Sequence, residues 1–154
     1  MWLANKFCCC INLQIGCTII SFFTLCLFAV HLVEFFRFKE HNDYTHPSDW
    51  LNLLWGILHL LASMCLSYSV LVGSLIPIWV YIIIEVIYLI YVIIYASVSC
   101  ALKTNTYANL GLNYCITYWS LIVLTFVIIT YFLYVVSSYY LLKRQQLIAA
   151  SHHV

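Results

Sequence analysis

The chain has 154 residues, of which 66% are hydrophobic and only 7% charged, with a net charge of +1 and a mean hydropathy of +1.02. A soluble domain carries about 25% charged residues, so eleven charges cannot clothe a soluble globule of this size and the surface must face lipid. This excludes a soluble enzyme and a disordered chain, and the near-neutral balance offers no basic field for nucleic acid. The length allows one domain.

The gaps between charges locate the spans. No Asp, Glu, Lys or Arg lies between Lys6 and Glu34, between Asp49 and Glu85, between Glu85 and Lys103, or between Lys103 and Lys143. A bilayer core of about 30 Å takes roughly 20 apolar residues as a helix. The first gap predicts span one over 13–36. The segment from Trp50 to Leu102 would reach about 80 Å as one helix, so it must fold back. Its only breaker cluster is Gly73-Ser74-Leu75-Ile76-Pro77, where glycine ends one helix and proline opens the next. That predicts span two over 51–72 and span three over 76–102. The last gap predicts span four over 113–142. Membrane strands would be half this length and alternate polar with apolar, and these runs do neither. The expected fold is all-α, an integral membrane four-helix bundle in a single domain.

The first apolar stretch is longer than a signal-peptide core and no small-x-small cleavage site follows it. Span one is therefore expected to stay in place as a signal anchor. The basic residues divide evenly between the two sides, so they do not set the orientation. Cys8, Cys9 and Cys10 stand just before span one, where S-palmitoylation occurs on the cytoplasmic face. Glu40, Asp43 and Asp49 dilute the basic residues of the first loop. Both short termini are accordingly expected in the cytoplasm.

Each span carries a stripe at three- and four-residue steps, which puts its members on one helical face. Span one has Gln14, Cys17, Ser21, Thr24, Phe28 and His31. Span two has Gly56, His59, Ser63, Ser67, Val70 and Ser74. Span three has Tyr81, Glu85, Tyr88, Val92, Tyr95 and Ser99. Span four has Asn113, Thr117, Ser120, Leu124, Val127, Tyr131, Tyr134 and Ser138. Small residues and hydroxyls favour close helix association in lipid, so bundle packing accounts for the stripes more simply than a permeation path. Folding spans two and three about Ser74–Leu75 brings Ser63 to the depth of Glu85, Ser67 to that of Tyr81 and Gly56 to that of Tyr95. The expectation is a tight hairpin of spans two and three, with Glu85 turned inward onto Ser63 and Ser67.

Glu85 is the strongest candidate for chemistry, because a carboxylate within a span costs about 2.5–3.5 kcal/mol even on a lenient scale. Two readings stand: a proton or cation site, or a glutamic acid bonded to Ser63, Ser67 or a tyrosine. His59, at the depth of Tyr88 and Tyr91, reads first as a hydrogen-bonded core histidine and second as a ligand or switch. His31, Glu34 and Arg37 read as an interfacial ion-pair group. Glu40, His41, Asp43, His46 and Asp49 match no standard zinc spacing and read as a solvated loop, with Ser48 or Asp49 capping span two and Trp50 anchoring at the interface. Cys100 and Cys115 bracket the second outer loop, where a disulfide and a pair of reduced, buried thiols are both open. No GxSxG, HExxH, CxxC pair or phosphate-cradling glycine loop occurs, so no enzymatic activity, cofactor or metal site is expected. The expected partners are the lipid bilayer and other membrane proteins or a second copy, with no nucleic acid.

The opening Phe7-Cys8-Cys9-Cys10-Ile11-Asn12-Leu13-Gln14-Ile15-Gly16-Cys17-Thr18-Ile19-Ile20 resembles the cysteine-rich entry and following Leu-x-x-Gly-x-x-Ile-Ile of insect four-span proteins of the Pasiflora type. It is similar, more distantly, to lysosome-associated four-span transmembrane proteins. The motif covers about fourteen residues; the four-span layout, the short second connection and Pro77 extend the likeness to most of the chain. The first resemblance implies a structural role in septate junctions, which seal epithelial and glial barriers, and the second implies endosomal trafficking. The tail from Lys143 to Val154 departs from the lysosomal pattern. It has no proline for a Pro-x-Tyr motif, and Lys143 stands where an acid would precede Leu147-Ile148 in a dileucine signal. Plasma membrane or cell junction is therefore expected before endosome or lysosome. The rival expectation is a proton- or cation-linked transporter or channel subunit using Glu85.

Overall fold

A computed structural model describes residues 12–41, 47–104 and 110–151. Within them the chain is all-α. Its helices are α1 (Leu13–His41), α2 (Pro47–Val72), α3 (Ile76–Ala101) and α4 (Leu112–Ser151), and no strand occurs among the described residues. All four are long and apolar enough to cross a membrane. The protein is a multi-pass integral membrane protein built as a bundle of helices. Cys8, Cys9 and Cys10, together with the side chains of residues 37–49, lie outside the described residues, so the acylation site, the Arg37 partner and the first-loop acids do too.

The helix limits agree with the spans read from charge gaps and breakers, with three differences. α1 runs on to His41, and α2 opens at Pro47. The fixed φ of proline suits a first helical position, so Ser48 and Asp49 lie inside the first turn of α2 instead of capping it. α4 continues past Lys143 to Ser151, because Lys143-Arg144-Gln145-Gln146-Leu147-Ile148-Ala149-Ala150 is made of good helix formers with no glycine or proline to stop it. At 40 residues it reaches about 60 Å, twice the bilayer core, so part of it stands clear of the hydrocarbon.

The chain forms two compact units. One comprises the described residues up to Ile84 together with those from Tyr134 onward; the other runs from Glu85 to Leu133. In the first unit α1 and α2 pack antiparallel along their length. Gln14 Nε2 donates to the carbonyl of Val70 at one end, and the rings of Phe35 and Trp50 lie 6.1 Å apart at the other. α2 ends at Gly73, whose φ of +79° and N–H to the Ser69 carbonyl (2.8 Å) make the left-handed stop that glycine adopts without penalty. The Ser69 hydroxyl donates onward to the Ser74 carbonyl (2.7 Å), holding the turn into α3. The end of α4 covers this turn: a Cβ on Gly73 would lie 3.3 Å from Lys143 Cε, and Trp79 meets Tyr140 edge-on at 5.5 Å.

In the second unit, α3 ends in a Schellman motif without glycine. Thr104 N donates to Ser99 O and Lys103 N to Cys100 O, with Lys103 at φ 55° in the left-handed position. A side chain there costs about 1–2 kcal/mol relative to glycine.

Candidate functional site

The polar groups of the spans concentrate on the α1–α2 contact. Small residues on both helices make that contact close: Gly16, Cys17 and Ser21 on α1 are buried, as are Gly56, Ala62 and Ser63 on α2. At its middle stands a serine cluster. The Ser21 hydroxyl lies 2.9 Å from the Ser63 carbonyl, 3.1 Å from Ser63 Oγ and 2.6 Å from Ser67 Oγ. Ser63 Oγ donates back to the Ser21 carbonyl at 2.9 Å. Side chain and backbone are thus exchanged in both directions between two helices. In hydrocarbon, where no water competes, such bonds act as interhelical glue.

This overturns one expectation. The sequence pattern offers Ser63 and Ser67 to Glu85 of span three; their hydroxyls instead meet Ser21 of α1. The reason lies in side-chain size. Without a hydrophobic drive between helices in lipid, the closest association goes to pairs whose small residues let backbones meet. α1 presents glycine, cysteine and serine at the right steps, whereas span three presents Tyr81, Glu85 and Tyr88. The other half of the expectation stands: Glu85 is turned away from the surface, with 2% of its area exposed. Tyr81, Tyr88 and Ser99 of the same stripe are also buried.

Toward the end of α1 the contact becomes aromatic. His59 is fully buried, and its Nδ1–H donates to the Trp55 carbonyl at 2.8 Å, one turn back on its own helix. His31 stacks on it, with ring centroids 5.3 Å apart and planes within 10°. Gly56 lies beside the pair, where an added Cβ would stand 3.4 Å from His31 Cβ and 3.7 Å from Phe28. His59 is the core histidine expected, held by a backbone carbonyl. The stack with His31 is a further contact, which the spacing of His31, Glu34 and Arg37 along one helix does not reveal. The signal was available: pairing span one with span two in antiparallel register, Ser21 opposite Ser63, carries His31 to the neighbourhood of His59.

Elsewhere hydroxyls bond within their own helix. Thr18, Thr24, Thr117, Ser120 and Ser138 each donate to the carbonyl four residues back, a bond that a hydroxyl makes within its own helix. The α4 stripe departs from expectation over its first two-thirds. Asn113, Thr117, Ser120, Leu124, Val127, Tyr131 and Tyr134 are exposed, and only Ser138 is buried. Along that part of α4 runs an open groove of about 620 Å³, lined by Cys115, Ile116, Trp119, Ser120, Val123, Leu124 and Val127. Cys100 and Cys115 are free, half-buried thiols, so the disulfide reading is not the one the structure adopts. No group of three or more His, Cys, Asp or Glu side chains that would hold a metal ion occurs among the described residues.

Fold and contacts together define a multi-pass membrane protein in which a serine cluster and a pair of stacked rings join α1 to α2. Comparison with family models, with curated proteins and with solved structures gave no match.

Proposed function

We propose that the chain is a non-enzymatic membrane protein that assembles laterally with itself or with other membrane proteins, as a structural component of a cell junction. The observation that carries this reading is the outward face of α4. The small Cys115 and Ser120 line one open groove together with the larger Ile116, Trp119 and Leu124, and small residues on an exposed helix face let a neighbouring transmembrane helix approach. The septate-junction setting, with termini in the cytoplasm, rests on the resemblance of residues 7–20 to the Pasiflora type. A photo-crosslinking residue at Ser120 or Val123 in native membranes should give discrete higher-mass species, and depletion of the protein should open an epithelial barrier to dye. Monomer alone, with an intact barrier, would refute the proposal.

A second reading is favoured by one residue. Glu85 lies within α3 with 2% exposure, where an acid has an energetic cost that function commonly justifies. A proton or cation flux in proteoliposomes that Glu85→Gln abolishes would establish a transporter or channel subunit in place of the junctional scaffold.

A further inference from the structure

The two ends of the first unit differ in charge. One end gathers the start of α1, the stop of α2, the start of α3 and the last turns of α4: Gln14 bonds to Val70, Lys143 covers Gly73, and Trp79 meets Tyr140. The sequence gives this end Lys6 before α1, and Lys143 and Arg144 on α4 with His152 and His153 after it. No Asp or Glu occurs in residues 1–33, 50–84 or 134–154. The stretch that joins α1 to α2 is the reverse, with Glu34, Glu40, Asp43 and Asp49 against Arg37 and Lys39. Along α1, Glu34 lies about 30 Å from Leu13, so no acid among the described residues of this unit neutralises the basic end.

The cations are held at a definite depth. The Lys143 stem crosses Gly73, with Cε 3.3 Å and Nζ 3.6 Å from where a Cβ would stand. Its ammonium group therefore lies at the carbonyl end of α2, where the helix dipole favours a cation. Arg144 follows and is exposed. Tyr140, one turn earlier on α4, meets the exposed Trp79 edge-on at 5.5 Å. Trp and Tyr settle at the level of the lipid headgroups, and Lys143 is the first charge in α4. The aromatic pair and the cation pair thus mark where α4 leaves the hydrocarbon. The groups a bilayer brings to that level are phosphates, which a guanidinium binds through parallel N–H bonds.

We propose that this end of the bundle binds the headgroup of an anionic phospholipid, with Arg144 and Lys143 as its cations and the Trp79–Tyr140 pair at the interface beneath them. A zwitterionic headgroup is neutral overall and gains little from a surface whose charges are all positive; an anionic one gains from each of them. Basic groups between spans at one face of the membrane suit acidic headgroups, and each Lys or Arg near the surface is worth about fivefold in binding. Acidic lipids concentrate in the cytoplasmic leaflet, so the contact favours the orientation that puts the end of α4 at the cytoplasm.

The test uses the full chain in nanodiscs made of equal parts phosphatidylserine and phosphatidylcholine. A genetically encoded benzophenone residue at Leu142, exposed beside Lys143, reports this end; one at Val33, exposed beside Glu34, reports the other. Mass spectrometry of the irradiated protein reads the ratio of the two lipid adducts. At low salt Leu142 should favour phosphatidylserine by about fivefold or more, while Val33 shows no such excess. Lys143→Gln/Arg144→Gln should remove the excess at Leu142, and Lys143→Arg/Arg144→Lys, which keeps both charges, should retain it. Salt at about 1 M should lower it by screening. Equal adduct yields at Leu142 in the parent protein overturn the proposal and need no variant to interpret. An excess that survives the glutamine pair, an excess of the same size at Val33, or adducts at Leu142 to a second protein chain in place of lipid overturn it too.

Discussion

Ser21 is the residue on which the α1–α2 contact turns, and its removal has a calculable cost. Its hydroxyl meets the Ser63 carbonyl, Ser63 Oγ and Ser67 Oγ within 2.6–3.1 Å, while its own carbonyl accepts from Ser63. Ser21→Ala deletes the first three contacts and leaves the fourth, because the backbone acceptor stays. Interhelical hydrogen bonds in membranes average about 0.6 kcal/mol and reach about 1.7, so Ser21→Ala should cost about 1 kcal/mol. Ser21→Leu replaces the hydroxyl with three carbons, a net gain in bulk at a site with 2% exposure, and overpacking adds about 1–3 kcal/mol, for a total of about 2–4 kcal/mol. Reversible unfolding in mixed micelles or bicelles measures both. A double-mutant cycle of Ser21→Ala with Ser67→Ala isolates the 2.6 Å contact, and its coupling energy should be at least about 0.5 kcal/mol. A coupling indistinguishable from zero, with Ser21→Leu no worse than Phe22→Leu on the exposed face of α1, would show that the serine cluster does not hold the helices together.

Ser63→Leu should destabilise more than Leu61→Ala in the same unfolding assay, since Ser63 is 5% exposed in the α1 contact and Leu61 is 45% exposed. Gly73→Ala should cost at least about 1 kcal/mol, because a Cβ is disfavoured at positive φ and this one meets Lys143 Cε at 3.3 Å; if Lys143→Ala removes most of the penalty, the strain is in the contact and not in the backbone. Lys103→Gly should raise stability by about 1 kcal/mol by relieving the left-handed residue of the α3 stop, and no change would mean that the motif frays. Thiol labelling of denatured, unreduced protein should find Cys100 and Cys115 both reactive, as expected for free thiols, and protection of both would restore the disulfide reading.

How much of this was legible in the residues differs from feature to feature. The spans followed from charge spacing alone, because the hydrocarbon core excludes Asp, Glu, Lys and Arg over a length set by the helix rise. The α2–α3 turn followed from Gly73 and Pro77, whose backbone limits are local. That Glu85 faces inward also followed, since a carboxyl group has one cheap direction in a membrane. Which helix meets which face is a different kind of fact. α2 carries small or polar groups around more than one side, and nothing within it distinguishes a neighbour before it in the chain from one after it. The choice of α1 for Ser63 and Ser67 depends on Gly16, Cys17 and Ser21 fitting those positions across some forty residues. The His31–His59 stack is a by-product of that same register, visible only once two distant segments are laid side by side. The outward turn of the α4 stripe belongs with these. Its Thr117 and Ser120 hydroxyls bond to their own backbone, so their spacing looks like an interface although both residues are exposed.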